Sequence, residues 1–163
     1  MTAAAPVAIR RARPDEATTL TTIALAAKAH WGYGAAQIER WRPILEVTSD
    51  QLAMQPVFVA DGNGAVGFYS LRTRAGDCEL DNLWVLPQYM ALGIGRRLLE
   101  HAAQTARGLG FAAIHIDADP HAATFYEKCG AVISGVVPAP IEDEPQRIRP
   151  QLLLATSGQG SDG

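Results

Sequence analysis

The sequence is poor in cysteine and has no long hydrophobic run. Cys78 and Cys129 are the two cysteines among 163 residues, and they lack the spacing of a metal site, so we expect buried structural thiols. No apolar stretch approaches the roughly 18 residues that a membrane span requires. The N-terminal stretch lacks the charged start and apolar segment of a secretory signal. These features predict a protein without membrane association and with a cytoplasmic location.

An excess of positive charge is also missing. The chain carries 14 Lys and Arg against 17 Asp and Glu, a formal net charge of −3, and the two signs are mixed. Such a balance offers no basic surface for a nucleic-acid backbone, so we exclude nucleic acid as a partner. An apolar content of 48% over this length suits one well-packed core. We predict a single domain over residues 1–155 and a small, polar, disordered tail over 156–163.

The hydrophobic pattern alternates between strand and helix periods. It predicts strands over residues 7–11, 56–60, 65–72, 78–86, 112–116, 131–137 and 147–155. It predicts helices over residues 14–29, 36–52, 93–109 and 122–128. This order is typical of an α/β (α+β) fold, with a mixed, mostly antiparallel sheet of about six to seven strands flanked by about four helices on both faces.

A strand, a glycine-bearing turn and a helix follow one another within residues 80–99. Gly93 and Gly95 have no Cβ, so a ligand could approach the backbone closely where the helix begins. The first N–H groups of a helix lack intrahelical partners and carry the positive end of its dipole, which favours a bound anion. Arg96 and Arg97 add two cations in the first turn. The segment predicts a phosphate site, although solvated arginines beside a simple turn remain the alternative.

Three ring side chains occupy a glycine-bearing loop after the first predicted helix. His30, Trp31 and Tyr33 lie on this loop, and Trp41 follows about two helical turns beyond Tyr33. Such rings either cap the core or line a pocket for a small molecule with an apolar body. Both readings stay open, and we name these four residues as candidate substrate contacts. His30 has no second ligand at a recognisable spacing, so no metal site is expected.

Two segments, VLPQYMALGIGRRLL and DPHAATFYEKCGA, carry a family resemblance. Together they resemble the GNAT superfamily of N-acetyltransferases, which pass the acetyl group of acetyl-CoA to an amine. The first is similar to the family's pyrophosphate-binding turn, and Gly93 and Gly95 fall on its two small positions. Met90 stands where Gln or Arg is usual, and Ala91 stands where many members have glycine. In the second segment, Asp119 replaces the usual Asn.

The resemblance implies acetyl-CoA as co-substrate, no metal, and direct transfer in a ternary complex to a primary amine of a small molecule or peptide. Tyr126 corresponds to the family's frequent general acid, and the Val85 N–H would polarise the acetyl carbonyl. A homodimer is compatible with the sequence. The residues implied in cofactor binding are Leu83, Trp84, Val85, Met90, Ala91, Leu92, Gly93, Ile94, Gly95, Arg96, Arg97, Asp119, Ala122 and Tyr126.

Glu79 and Asp81 are candidate bases for the acceptor amine. They lie two residues apart, hence on one face of the strand, and buried carboxylates are costly without a partner. Glu79 stands where some members of the family place a general base, so it ranks first and Asp81 second. The alternative is that both make structural ion pairs. Asn82, on the opposite face, is expected to bond backbone groups.

Two other functions compete with the acetyltransferase. Gly93 and Gly95 followed by a strand ending at Asp117 resemble a dinucleotide-binding fingerprint. Leu98 occupies the third glycine position of that fingerprint and too little chain follows, so an NAD-binding enzyme is the remote alternative. An acyl-CoA-binding sensor without catalysis is the nearer one, because Met90 and Asp119 depart from the family pattern.

Overall fold

A computed structural model of the chain describes residues 6–157. Two compact units divide this part of the chain: residues 6–70 with Asn82–Leu99 form the first, and Leu71–Asp81 with residues 100–157 form the second. Most of the predicted tail, residues 158–163, lies outside the described residues. Thr156, which the sequence assigned to that tail, is buried, and its hydroxyl donates to the carbonyl of Phe111 at 2.7 Å. The extent of the single predicted domain stays a prediction.

Within the described residues, seven strands alternate with five α-helices. The strands are β1 (Ala8–Arg11), β2 (Val57–Asp61), β3 (Ala65–Arg74), β4 (Asp77–Val85), β5 (Ala113–Asp117), β6 (Val132–Pro138) and β7 (Ile148–Ala155). The helices are α1 (Ala17–Ala29), α2 (Ala35–Leu45), α3 (Ser49–Met54), α4 (Ile94–Gly108) and α5 (Ala123–Lys128). Short 3-10 turns precede α1 at Pro14–Glu16 and follow β4 at Pro87–Tyr89. No helix among residues 6–157 is long and apolar enough to cross a membrane.

The strands form one mixed sheet in the order β1-β2-β3-β4-β5-β7-β6. The pairs β1–β2, β2–β3, β5–β7 and β6–β7 are antiparallel. The pair β4–β5 is parallel and joins Glu79 to His115 and Leu80 to Ile116. The predicted α/β fold with a mostly antiparallel sheet is therefore confirmed, and β2, β3 and β4 are neighbours in chain order within it.

The single helix predicted over residues 36–52 is wrong, because the chain forms α2 and α3 there. Glu46 is extended, with φ −65° and ψ 130°, and ends α2. The Val47 N–H donates to the hydroxyl of Thr21 on α1 at 2.9 Å. This bond keeps the segment between α2 and α3 out of the helical conformation. Thr48 then caps α3 by accepting from the Gln51 N–H, and the Gln51 side chain accepts from the Thr48 N–H. This reciprocal capping box starts a new helix.

The core of the first unit lies where α1 packs on β2 and β3. Leu20, Ile23 and Ala24 are spaced for one helix face, and they join Val59 and Phe68 in one buried cluster. Each of these side chains is at most 2% exposed. A one-sided helix on alternating strand positions explains this packing. This packing holds β3 against α1, and β4 lies next to β3 in the sheet.

The second unit has its own buried positions on the strands that follow α4. Ile114 and Ile116 on β5, and Leu152 and Leu154 on β7, alternate with more exposed neighbours. This period of two agrees with the antiparallel register, in which Ile116 faces Leu152 and Ile114 faces Leu154. β6 is mostly exposed and ends the strand order.

Candidate functional site

The turn between β4 and α4 has an unusual backbone. After the 3-10 turn, the Met90 N–H donates to the carbonyl of Pro87 at 3.2 Å. Ala91 then adopts φ +65° and Gly93 φ +83°. Both angles belong to the left-handed region, which glycine adopts easily and alanine at a cost. The alanine at position 91 therefore has the backbone conformation expected of the glycine that many members of the similar family carry there.

The same turn leaves the start of α4 open to a ligand. A Cβ built on Gly93 would meet no atom within 4 Å, and Arg96 and Arg97 are exposed. The Arg97 N–H donates to the Gly93 carbonyl at 3.1 Å, so the N–H groups of Ile94 and Gly95 precede this bond of the helix. Backbone donors, a helix dipole and nearby guanidinium groups fit a phosphate. The residues present therefore suit the diphosphate of coenzyme A.

Gly67 on β3 supports this turn, and sequence reasoning missed it. A Cβ at position 67 would lie 2.8 Å from the Trp84 carbonyl oxygen and 3.3 Å from the side chains of Val85 and Leu98. The missing side chain thus lets β3, the end of β4 and the first turns of α4 come close together. A glycine inside a predicted strand is a known sign of such close approach, and that signal could have found it.

Asn82 connects two strands through side chains. The Trp84 Nε1–H donates to Asn82 Oδ1 at 2.8 Å, and the Asn82 amide donates to the hydroxyl of Ser70 at 2.9 Å. Ser70 is 3% exposed. The expectation that Asn82 bonds backbone groups is corrected by these bonds, because its amide bonds side chains on both sides. The chain of bonds holds the Trp84 ring in one orientation.

The four candidate substrate residues separate into two pairs. The His30 and Trp31 rings contact each other with centroids 5.7 Å apart. The Tyr33 and Trp41 rings meet edge to face with centroids 4.8 Å apart, and Tyr33 is 9% exposed. This second pair and Trp84 lie around a cation that the sequence analysis did not single out.

That cation is the ammonium group of Lys28, in the last turn of α1. Its Nζ lies 4.5 Å from the ring centroid of Trp41, 5.2 Å from that of Tyr33 and 5.9 Å from that of Trp84. These distances are within the range of cation–π attraction. We call Tyr33, Trp41 and Trp84 the aromatic cage. A lysine near a helix C-terminus has an ordinary explanation in the helix dipole, so no sequence signal pointed to this contact.

Glu79 and Asp81 share one arginine. Arg72 Nη2 lies 3.0 Å from Asp81 Oδ1, a hydrogen-bonding distance, and 3.6 Å from Glu79 Oε1. Both carboxylates therefore lie on the side of the strand that faces Arg72, which agrees with their spacing of two residues. Asp81 is held by the guanidinium, and Glu79 is less engaged.

Asp119 is held by partners on two sides. Its Oδ1 accepts hydrogen bonds from the His121 backbone N–H at 2.8 Å and contacts His121 Nδ1 at 2.9 Å. Its Oδ2 accepts from Arg147 Nη2 at 3.3 Å, and Arg147 Nη1 donates to the Ala139 carbonyl at 3.1 Å. The side chains of Asp119 and Arg147 are 6% and 4% exposed. The charge that replaces the family's usual amide is thus neutralised by a buried arginine.

Tyr126 lies on α5, one helical turn after Ala122. The Ala122 N–H donates to the Asp119 carbonyl at 2.9 Å, and the Tyr126 N–H donates to the Ala122 carbonyl at 3.2 Å, so the turn at Asp119 determines where Tyr126 stands. Its ring packs edge to face on Phe125, and the residue is 7% exposed. Burial, with smaller contributions from Cys129 and Asp119, raises the pKa of Tyr126 above its ordinary value of 10.

The candidate residues are thus distributed over both units. The first unit holds the β4–α4 turn, the aromatic cage and the hydrogen bonds that join Ser70, Asn82 and Trp84. The second holds Glu79, Asp81, Asp119 and Tyr126.

The two cysteines are not suited to act as nucleophiles. Cys78 is buried, Cys129 is partly buried, and burial raises the pKa of Cys78 to about 11, which makes its thiol a poor nucleophile. Among residues 6–157, no cluster of His, Cys, Asp or Glu could hold a metal ion.

Comparison with known proteins agrees with this geometry. The model of the acetyltransferase (GNAT) domain family matches residues 54–130, which include β4, the turn, α4 and α5. No curated protein matches the sequence.

Solved structures resemble nearly the whole chain. The PaiA N-acetyltransferase of Thermoplasma acidophilum, in complex with coenzyme A, shares 18% identity over 92% of this chain and 99% of its own, with a TM-score of 0.75. The structure of yncA of Salmonella typhimurium, with its cofactor acetyl-CoA, shares 19% identity over 95% of this chain and 96% of its own, with a TM-score of 0.70. The ribosomal-protein-S18-alanine N-acetyltransferase of Escherichia coli shares 19% identity over 97% of this chain and 99% of its own, with a TM-score of 0.72. Residues 54–130 are therefore similar to a GNAT acetyltransferase domain, and the chain has the fold of these acetyltransferase structures.

Proposed function

We propose that this protein is an N-acetyltransferase that passes the acetyl group of acetyl-CoA directly to a primary amine of a small molecule. The observation that carries the proposal is the β4–α4 turn, where Ala91 and Gly93 have positive φ angles and the start of α4 is open. This backbone offers donors to a diphosphate even though Met90 supplies no polar side chain. Arg96 and Arg97, both exposed in the first turn of α4, would take over the polar contact that Gln or Arg makes in other members.

The Val85 N–H is suited to polarise the acetyl carbonyl. The next residue, Leu86, donates its N–H to the Val66 carbonyl on β3 at 2.9 Å. Successive N–H groups of a strand point to opposite edges, so the Val85 N–H points away from β3. A donor fixed in the backbone needs no reorganisation when charge develops on the thioester oxygen.

Glu79 is our candidate for the base that accepts the proton of the acceptor amine. An amine must lose a proton to attack, and a carboxylate can accept it directly or through water. Asp81 is engaged by Arg72 at 3.0 Å, whereas Glu79 is 3.6 Å from the same group. This difference favours Glu79 over Asp81. Arg72 would then orient both carboxylates.

Tyr126 would hold the departing thiolate by a hydrogen bond. A thiol has a pKa near 8.5, by analogy with cysteine, and the pKa of Tyr126 is raised above 10 by burial. Full proton transfer from the phenol to the thiolate is therefore uphill, whereas donation of a hydrogen bond to it is favourable. The phenol also stays protonated at any physiological pH.

Thermal unfolding with acetyl-CoA, CoA and NADH in parallel tests this proposal. A ligand at a hundred times its Kd adds about 2.7 kcal/mol, which for a domain of this size raises the unfolding midpoint by about 5–10 °C. We expect a rise with acetyl-CoA and CoA and none with NADH. Release of free thiol, followed with an amine panel, then measures transfer.

The outcomes separate the competing functions. No shift with either CoA form at millimolar concentration would refute the proposal. A shift with acetyl-CoA but no thiol release with any amine would favour the acyl-CoA-binding sensor. A shift with NADH alone would favour the NAD-binding enzyme.

A further inference from the structure

The aromatic cage around Lys28 is built to hold a cation. We propose that it binds a second, non-reacting cationic group of the acceptor, and that Lys28 fills it when no acceptor is bound. The acceptor would then be a diamine or another amine with a separate ammonium group. This inference rests on the proposed function, since it names the substrate class of the same enzyme.

The three rings of the cage are oriented by contacts that do not involve Lys28. Tyr33 and Trp41 hold each other edge to face at 4.8 Å. Trp84 is oriented by its bond to Asn82, which is bonded in turn to the buried hydroxyl of Ser70. Preorganised aromatic rings of this kind recognise alkylammonium groups in many proteins.

The Lys28 side chain, which occupies the cage, is flexible, unlike the rings around it. The Lys28 ammonium is carried on a flexible four-carbon stem, and the side chain belongs to a partly buried residue in the last turn of α1. The chain after it bends through Gly32, at φ +94°, before α2 begins. An ammonium of the acceptor could replace that of Lys28, because both present the same chemistry to the rings.

The caged cation cannot be the amine that is acetylated. Cation–π contact stabilises the charged ammonium, whereas attack on the thioester requires the neutral amine. The cage therefore opposes the deprotonation that transfer needs. It follows that the acceptor carries at least two cationic groups, one held in the cage and one that loses its proton.

The cage also lies beside the reacting strand. Trp84 directly precedes Val85, the residue whose N–H we assign to the acetyl carbonyl, and consecutive Cα atoms are about 3.8 Å apart. A cation bound against Trp84 would thus be near that strand end.

Binding of choline to the protein without acetyl-CoA tests the cage. Tryptophan fluorescence reports it, in a Trp31→Phe background so that the two remaining tryptophans are both walls of the cage. We expect Lys28→Met to bind choline at least tenfold more tightly than the parent, because the internal cation is gone. Lys28→Arg keeps a cation and serves as the matched control, with weak binding as in the parent. Lys28→Gln replaces Lys28→Met if the latter unfolds.

Two further comparisons complete the test. The neutral isostere 3,3-dimethylbutan-1-ol should gain nothing from Lys28→Met, and Trp41→Leu added to that variant should abolish choline binding. Equal choline affinity in Lys28→Met and Lys28→Arg, or equal affinity for choline and its isostere, would overturn the cage as a cation site.

The acceptor class is tested by acetyl transfer. We expect 1,5-diaminopentane to exceed 1-aminopentane at least tenfold in kcat/KM, through KM, and Trp41→Leu to remove this preference. Equal kcat/KM for the two amines would overturn the inference and leave the proposed function standing. Absence of transfer to both would overturn the acceptor class, while thiol release with another amine of the panel would leave the proposed function standing and the choline result would still decide the cage.

Discussion

Arg147 Nη2 lies 3.3 Å from Asp119 Oδ2, and both side chains are almost completely buried. The pair explains how this chain has an acid where the resemblance leads one to expect Asn. An isolated buried carboxylate would be very costly, and one next to a thioester and a diphosphate would repel its ligand. With Arg147 beside it, the position is close to neutral. Asp119 also keeps the turn that starts α5, through its bond with the His121 N–H.

We predict that Asp119 and Arg147 are strongly coupled in stability. Removing one partner of a buried ion pair costs about 3 kcal/mol or more, whereas an uncharged pair of similar volume is often tolerated. Asp119→Asn and Arg147→Met should therefore each lower the free energy of unfolding by about 3 kcal/mol. The double variant should lose less than their sum by at least about 2 kcal/mol. Urea unfolding measures all four proteins, and strict additivity would contradict the coupling.

Tyr126→Phe should lower kcat for acetyl transfer by about 100-fold, a usual effect of losing an acid or donor at the reacting atoms. The apparent KM for acetyl-CoA should change little, since the ring is retained. Because the pKa of Tyr126 is raised above 10, kcat of the wild type should show no loss from this group between pH 7 and 10. Thiol release over that range measures both.

The matched control is Tyr69→Phe. Tyr69 is a fully buried tyrosine on β3 whose ring stacks on Phe58, and we place it outside the site. Its loss of a hydroxyl should change stability but not kcat. A similar fall of kcat in both variants would show that the effect of Tyr126→Phe is structural.

Much of the fold could be predicted because its signals are local. The hydrophobic period and the glycines located β4, the turn and α4 to within a residue or two. The break between α2 and α3 could not be predicted in this way, because it depends on Thr21 bonding the Val47 N–H from a distant helix. Thr48 and Gln51 do form a recognisable capping box, but a continuous helical pattern concealed it.

Less of the site could be predicted from the sequence, because most of its contacts join segments that are distant along the chain. The turn carries its chemistry in consecutive residues, so the pattern was sufficient. The cation–π contacts of Lys28 join α1, α2 and β4, and the ion pair of Asp119 joins the start of α5 to Arg147 just before β7. Such contacts depend on tertiary structure and leave no periodic signal. Gly67 is an intermediate case, since its presence in a strand was visible but its neighbours were not.

Gly67→Ala should damage the turn through packing. The new Cβ would lie 2.8 Å from the Trp84 carbonyl oxygen, a backbone atom that cannot move alone. Overpacking of this kind costs about 1–3 kcal/mol, and moving Trp84 should also weaken CoA binding. Gly135→Ala on β6 is the control, because a Cβ there meets no atom within 4 Å. Urea unfolding and a CoA titration measure both variants, and equal losses in the two would contradict the packing argument.

The ion pairs of Arg10 should make the free energy of unfolding depend on pH in the acidic range. Arg10 bonds Glu16 at 2.8 Å and Asp61 at 2.8 Å, and the Glu16 side chain is 8% exposed. The hydrogen bond from Arg10 holds the pKa of Glu16 below its ordinary value of 4.5, against the opposing effect of burial. A carboxyl with a lowered folded pKa contributes its full stability above the unfolded pKa, and that contribution is lost as pH falls through the folded pKa.

Glu16→Gln should therefore lower the free energy of unfolding by about 3 kcal/mol at pH 7. The difference from wild type should shrink as pH falls from 4.5 through the lowered folded pKa, since below that pKa the wild-type carboxyl is protonated in both the folded and the unfolded state. Glu39→Gln is the control, because Glu39 pairs with Arg42 in an exposed position and its loss should change stability little. Urea unfolding at several pH values measures the profile. A Glu16→Gln difference that stays constant from pH 7 to pH 3 would show that Glu16 stabilises the fold by packing and not by its charge.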